Sequence, residues 1–155
     1  MPEEKERDYS AYPFVSFHFE VAFDGLETGK TIKGSFQSVE GLKMSMTPTP
    51  WKEGGENRFE YHLISRPKYG PLILKRGLFQ DRTAFYEWYK TAFQEMEVRP
   101  LNLLVSLLDE THQAVMSWNV VHAIPTEWAV SGFDATKSDV VVETMKLSYL
   151  YFDRE

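Results

Sequence analysis

The chain contains no cysteine, which excludes disulfides and thiolate metal sites and fits a reducing compartment. It has no run approaching the roughly 18 to 20 apolar residues of a membrane helix, so membrane binding through its own sequence is not expected. There is no basic block: 17 Lys and Arg stand against 23 Asp and Glu, for a formal charge of -6, which argues against sequence-specific nucleic-acid binding. The opening Met1 to Asp8 is charged and leads into no apolar signal-length stretch, so it reads as no targeting segment, and synthesis in the cytoplasm is expected.

Catalytic patterns are also missing. No GxSxG elbow, P-loop or dinucleotide fingerprint occurs, and the serines have no base at a telling spacing. His18, His62, His112 and His122 follow no HExxH spacing, although His18 and His62 fall on polar strand faces that neighbour one another in some pairings. The Gly54-Gly55 pair beside Lys52 bridges no strand to a helix and reads as a flexible loop rather than a phosphate nest. Asp109-Glu110 sits at a turn tip, where solvation leaves carboxylates untuned. Neither an enzyme nor a cofactor or metal protein is expected.

What the chain does have is aromatic mass, 11 Phe, 8 Tyr and 4 Trp in 155 residues, more than a core of this size calls for and of a type favoured where proteins meet. The length suits one domain. A charged arm over residues 1–11 precedes a domain over 12–155.

The organising stretch is Pro100 to Val121. Leu101, Leu103, Val105 and Leu107 alternate in one strand, Asp109 to His112 form a hairpin connection, and Met116, Trp118 and Val120 share a face of the next strand. A lone hairpin is marginal in water and needs further strands and a cover. Before it, Val15, Phe17, Phe19, Val21 and Phe23 share a strand face that the turn pair Asp24-Gly25 should end; Ile32 to Val39 returns, with Gly34 and Gly41 marking a bulge or turn. Phe59, Tyr61 and Leu63, and then Leu72 to Leu78, give two more strands. One helix is expected, with Asp81 as N-cap and an apolar stripe of Phe85, Trp88, Tyr89, Ala92, Phe93 and Met96 facing the core. Ala123 to Trp128, broken by Pro125, reads as a bent or edge strand; Gly132 to Ser138 reads as a loop. Asp139 to Phe152 reads as a long last strand with Val141, Met145, Leu147, Tyr149 and Tyr151 on one face. The expected class is therefore mainly β, an antiparallel barrel or sandwich of six to eight strands flanked by one α-helix, with no βαβ alternation.

Residues 40–57 differ from the rest. Leu42, Met44 and Met46 alternate, Pro48 and Pro50 remove ladder donors, and Trp51-Lys52-Glu53-Gly54-Gly55-Glu56-Asn57 is polar and glycine-rich. A segment of this length that carries Trp51 reads as a projecting docking arm. Met44, Met46, Trp51, Lys52, Glu53, Gly54, Gly55 and Asn57 are the candidate subunit-interface residues.

Several segments in order resemble the tail tube proteins of contractile phages and the inner tube proteins of phage-tail-like contractile injection systems. They are Tyr12-Pro13-Phe14, Phe17 to Val21 with Asp24-Gly25, Phe36 to Leu42, Glu53 to Asn57, Leu74 to Leu78, Trp88, Leu107 to Glu110, Trp118, Pro125 to Trp128 and Val142 to Leu147. The resemblance implies six copies to a ring and rings stacked into a hollow tube inside a sheath, started at a baseplate or spike, with a lumen for cargo or DNA. It implies that the long loop after Val39-Glu40-Gly41-Leu42 joins subunits and rings, and that the tube is part of a virion tail or released particle. Read from the residues alone, a monomeric barrel binding a small apolar ligand is the alternative.

Overall fold

The computed structural model describes residues 18–27, 30–77, 84–132, 134–137 and 140–155. The expected arm 1–11, the positions of Val15 and Phe17 and the cap Asp81 lie outside them. In chain order the elements are β1 (His18–Glu27), β2 (Lys30–Phe36), β3 (Ser38–Glu40), β4 (Met44–Ser45), β5 (Thr49–Trp51), β6 (Tyr61–Leu63), β7 (Lys68–Tyr69) and β8 (Leu72–Gly77). Then come α1 (Ala84–Gln94), β9 (Leu101–Leu108), β10 (Ala114–Val130), β11 (Val142–Ser148) and β12 (Tyr151–Arg154).

Strand β9 is central. It pairs antiparallel with β1 on one side and β10 on the other, so that Val105 lies opposite both Val21 and Trp118. Leu101, Leu103, Val105 and Leu107 are buried, as alternation over one apolar face requires, and Leu104 and Leu108 are half-buried on the other. The main sheet has eight strands and runs β2-β1-β9-β10-β11-β8-β3, with β12 added against β10. Its two ends, β2 and β3, are consecutive in the chain and separated only by Gln37, whose N–H donates to the Lys75 carbonyl at 2.8 Å. The sheet therefore curls onto itself as a barrel, leaving few open edges. Phe23, Leu72, Leu74, Leu103, Met145 and Leu147 are among the fully buried side chains that fill it.

Four details depart from the periodicity reading. Strand β1 continues through Asp24-Gly25 to Glu27, because Gly25, at φ 83°, absorbs a register shift instead of ending the strand. Gly34 pairs in unbroken register with Val21; a Cβ there would lie 3.0 Å from the Phe36 ring and 3.2 Å from the Phe85 ring, so the glycine makes room for these two rings and marks no bulge. Ala123 to Trp128 is not a separate strand. It is the second half of the 17-residue β10, which passes Pro125 with a register shift and has His122 at φ 60°, pairing with β9 and β12 first and β11 afterwards. The last segment is broken at Tyr149-Leu150 into β11 and β12, so Tyr151 is exposed while Phe152 turns inward, and the face shared by Met145, Leu147 and Tyr149 does not include Tyr151.

Helix α1 covers the barrel with Phe85, Trp88, Tyr89 and Ala92, spaced i, i+3, i+4, i+7. Phe85 meets Phe23 edge-on with centroids 4.5 Å apart. The polar ends of its aromatics are satisfied: Trp88 Nε1–H donates to the Arg99 carbonyl at 2.8 Å and Tyr89 O–H to the Lys146 carbonyl at 3.3 Å. The stripe stops there. Phe93 is half exposed, and Met96 lies beyond the helix at φ 57° with its side chain in solvent, so neither belongs to the core as the helical spacing suggested.

Under the helix is a buried ion pair that alternation gives no sign of. Arg76 follows Leu72 and Leu74 inward, and its Nε lies 2.8 Å from Glu143 Oε2 on β11. The guanidinium sits over the Phe85 ring at 5.1 Å, and Trp128 Nε1–H donates to the other carboxylate oxygen. Three elements, β8, β10 and β11, are pinned by one carboxylate.

Candidate assembly surface

Between β3 and β8 the chain leaves the barrel as a two-stranded ribbon. β4 pairs with β7, placing Met44 opposite Tyr69, and β5 pairs with β6, placing Thr49 opposite Leu63 and Trp51 opposite Tyr61. The projecting segment is therefore longer than residues 40–57. Phe59, Tyr61 and Leu63, which alternate like a strand of the body, form its return leg and are exposed.

Its root is rigid. Gly41 adopts φ +96°, and a Cβ there would lie 1.8 Å from the Pro71 carbonyl oxygen, so only glycine fits. Tyr149 O–H donates to the Gly41 carbonyl at 3.0 Å, and Gly70 N–H donates to the Lys43 carbonyl at 3.0 Å. Tyr69 stacks its edge on Phe152 at 5.5 Å, tying β7 to the core. Burial raises the Tyr149 hydroxyl above the ordinary tyrosine pKa of 10.0, which keeps it a donor at neutral pH.

The two prolines act as expected: Pro50 faces His62 without an N–H to give, and β4 and β5 remain short pieces on one leg. Ser65 Oγ–H closes the gap between them on the Thr47 carbonyl at 2.8 Å. At the tip, Glu56 N–H reaches back to the Glu53 carbonyl at 3.3 Å around Gly54 and Gly55, the latter at φ 93°. Arg58 clamps Glu56 through two N–H groups, each at 2.9 Å, and holds its carboxyl below the usual glutamate range.

Cross-strand register sorts the side chains by face. Trp51, Phe59, Tyr61 and Leu63 share one side, with Phe59 edge-on to Tyr61 at 5.3 Å; Lys52 and Glu60, 3.9 Å apart, take the other with His62. A two-stranded ribbon is marginal in water, and this one presents an apolar face that is exposed among the described residues, with Trp51 57% exposed. Of the candidate interface residues, Met44, Met46 and Trp51 are exposed apolar groups along the ribbon, and Lys52, Glu53, Gly54, Gly55 and Asn57 form its tip. Phe59, Tyr61 and Leu63 are exposed on the ribbon although their alternation matches that of a core strand, and Ile64 beside them is 83% exposed.

The histidines fall elsewhere than their strand faces suggested. His18 stacks on His112 with centroids 5.6 Å apart, whereas His62 is out on the ribbon. Among the described residues, no three His, Asp or Glu side chains converge as metal ligands. Asp109 is no solvated acid: it is buried, and its Oδ1 accepts from Thr111 N–H, Thr111 O–H and Gln113 N–H at 2.6 to 3.0 Å, fastening the β9–β10 turn.

The family model for T4-like virus tail tube protein gp19 matches residues 15–153. Among solved structures, a chain of the anti-feeding prophage baseplate, 6-fold symmetrised, aligns with a TM-score of 0.82 at 25% identity over 94% of this chain and 97% of that one. A chain from the sheath/tube terminator of an extracellular contractile injection system, PVC, in the extended state gives 0.77 at 25% identity, covering 93% and 97%. One from the PVC sheath-tube complex gives 0.78 at 24%, covering 97% and 99%. No curated protein sequence matched the chain.

Proposed function

The chain belongs to the T4-like virus tail tube protein family, and on that premise we propose that six copies close a ring and that rings stack into a hollow tube. It is a structural tube subunit of a contractile tail-like system, assembled with sheath and baseplate. The finer reading is that copies made in the cytoplasm add to a baseplate-bound start, that the lumen passes cargo or DNA, and that the work is mechanical rather than catalytic. The role of tube initiator fits the same fold.

The observation that carries the ring is the apolar ribbon face of Trp51, Phe59, Tyr61 and Leu63, held out on a rigid root and exposed among the described residues. The sixfold symmetry of the anti-feeding prophage baseplate supports the number of copies. Met44, Met46, Trp51, Lys52, Glu53, Gly54, Gly55 and Asn57 keep their proposed place in the contact, and the return leg joins them. Negative-stain microscopy over a range of concentration and salt tests the reading. Six-fold rings or tubes are expected; a protein that stays monomeric even with a baseplate-containing extract sinks it.

A further inference from the structure

The ribbon carries sulfur as well as aromatic rings. Of the six methionines in the chain, Met44 lies in β4 opposite Tyr69 and Met46 in the bend between β4 and β5, 58% and 54% exposed. Met145 is buried in the barrel at 1%, Met116 is half-buried on β10, Met96 stands in solvent beyond α1, and Met1 lies outside the described residues. With no cysteine in the chain, these thioethers are its only sulfur. Exposed strand positions usually take β-branched or polar residues, whereas an unbranched, polarisable thioether suits a surface that must fit against another.

A thioether is also open to two-electron oxidation. Hydrogen peroxide transfers one oxygen atom to the sulfur: an S–O bond forms, the O–O bond breaks, and water leaves, with the sulfur losing two electrons and the peroxide gaining them. The product is no longer apolar. A sulfoxide oxygen is a strong acceptor, and burying it in an apolar contact without a donor forfeits its hydration. The ribbon carries Lys43, Lys52, Arg58, Arg66 and Lys68 against Glu53, Glu56 and Glu60, a small cationic excess in a chain of net charge -6. Oxidation adds no net charge, so it leaves that excess untouched and acts on the apolar share of the contact.

We propose that Met44 and Met46 are oxidation sites that control assembly: in the free subunit both thioethers are open to peroxide, their sulfoxides block the ribbon contact, and a formed contact covers them. The inference rests on the tube reading and adds a chemical control of its contact. The fold itself is spared, because Met145 is shielded from solvent and the β4–β7 ladder at Met44 is made by backbone groups that the sulfoxide does not touch. Met96, 83% exposed, is an internal standard: it is more open than either ribbon site, and it takes up oxygen without effect on assembly. A sulfoxide reductase reverses the block, two thiols becoming a disulfide as the oxygen leaves in water.

The test treats the free subunit with hydrogen peroxide, removes the excess with catalase, reads each site by peptide mass spectrometry and follows assembly by sedimentation and negative stain, with baseplate-containing extract present. Each protein is compared with its own untreated sample. The parent is expected to assemble on the order of tenfold more weakly once positions 44 and 46 have gained oxygen, at low and high salt alike, and to recover with sulfoxide reductase and dithiothreitol. Met96→Leu should respond to the same dose as the parent does, and Met44→Leu/Met46→Leu should show no response. In particles formed before treatment, oxygen uptake at 44 and 46 should slow sharply relative to the free subunit. An equal loss in Met44→Leu/Met46→Leu, undiminished uptake in particles, or unimpaired assembly of subunits carrying both sulfoxides overturns the oxidation control and leaves the tube reading standing. Untreated subunits that form neither rings nor tubes with the extract present overturn the tube reading, and this inference falls with it.

Discussion

At Gly41 and at Glu143 single atoms decide the outcome. Gly41→Ala puts a methyl into the Pro71 carbonyl at a positive φ, and a loss of about 2 to 4 kcal/mol is expected in urea unfolding, since the root must open to admit it. An unchanged midpoint would show that the root yields freely. Arg76→Met leaves Glu143 buried with Trp128, among the described residues, as its donor in place of a cation, and about 3 to 5 kcal/mol should be lost. The double change Arg76→Met/Glu143→Leu should recover most of that loss, because the charge is then gone rather than orphaned. A double variant no more stable than the single one would mean that the pair stabilises beyond its own desolvation.

For the elements, the ribbon and its root give separable expectations. Trp51→Ala should leave monomer unfolding within about 0.5 kcal/mol of the parent, because the ring is exposed, yet weaken assembly by about 2 kcal/mol or more if it anchors the contact. Sedimentation together with denaturation separates the two effects; equal losses in both would place Trp51 in the core of the fold. Burial raises the hydroxyl pKa of Tyr89 and Tyr149 above 10.0. A raised folded-state pKa stabilises fully below pH 10 and loses that stabilisation as pH climbs through the folded value. Spectrophotometric titration should therefore show two late tyrosines, one of which disappears in Tyr149→Phe, and ribbon-dependent assembly should fall above pH 10 and be flat from pH 6 to 9 on this account.

The same scale shows what the residues could and could not announce. Alternation in Leu101 to Leu107 and the spacing of Phe85, Trp88, Tyr89 and Ala92 named buried faces correctly, because both periods are properties of backbone geometry. Alternation in Phe59, Tyr61 and Leu63 is physically identical, but it says only that one face is apolar, not whether its cover comes from the same chain or another. Pro125 suggested a break, yet a register shift let β10 continue past it, a solution that depends on β11 and leaves no local mark. Arg76 and Glu143 each look solvent-bound until the register sets them opposite one another. Met44, Met46 and Trp51 were legible as a projecting segment because two prolines and a glycine pair surround them.

At the scale of the whole molecule, a barrel closed at Gln37 has satisfied most of its edges, so on the proposed reading association relies on side chains outside the barrel. Assembly driven by a cationic ribbon within a chain of net charge -6 should weaken between about 0.05 and 0.5 M NaCl as the screening length shrinks, before the apolar contact itself is strengthened by salting-out. Light scattering across that range checks it, and a monotonic rise from the lowest salt would assign the contact to apolar burial alone.

A tube that is driven forward must also carry load. Strand β10 runs for 17 residues from the β9 hairpin to the far end of β11 and belongs to both halves of the barrel. Force applied along it is borne by covalent bonds, and neighbouring strands must slide past it all at once rather than peel away rung by rung. Pulled between residues 114 and 130 in a force spectrometer, the subunit should resist as a strut, while tension that peels the three-pair β5–β6 ladder should open the ribbon at far lower force and leave its root closed: a stiff beam with a yielding tip.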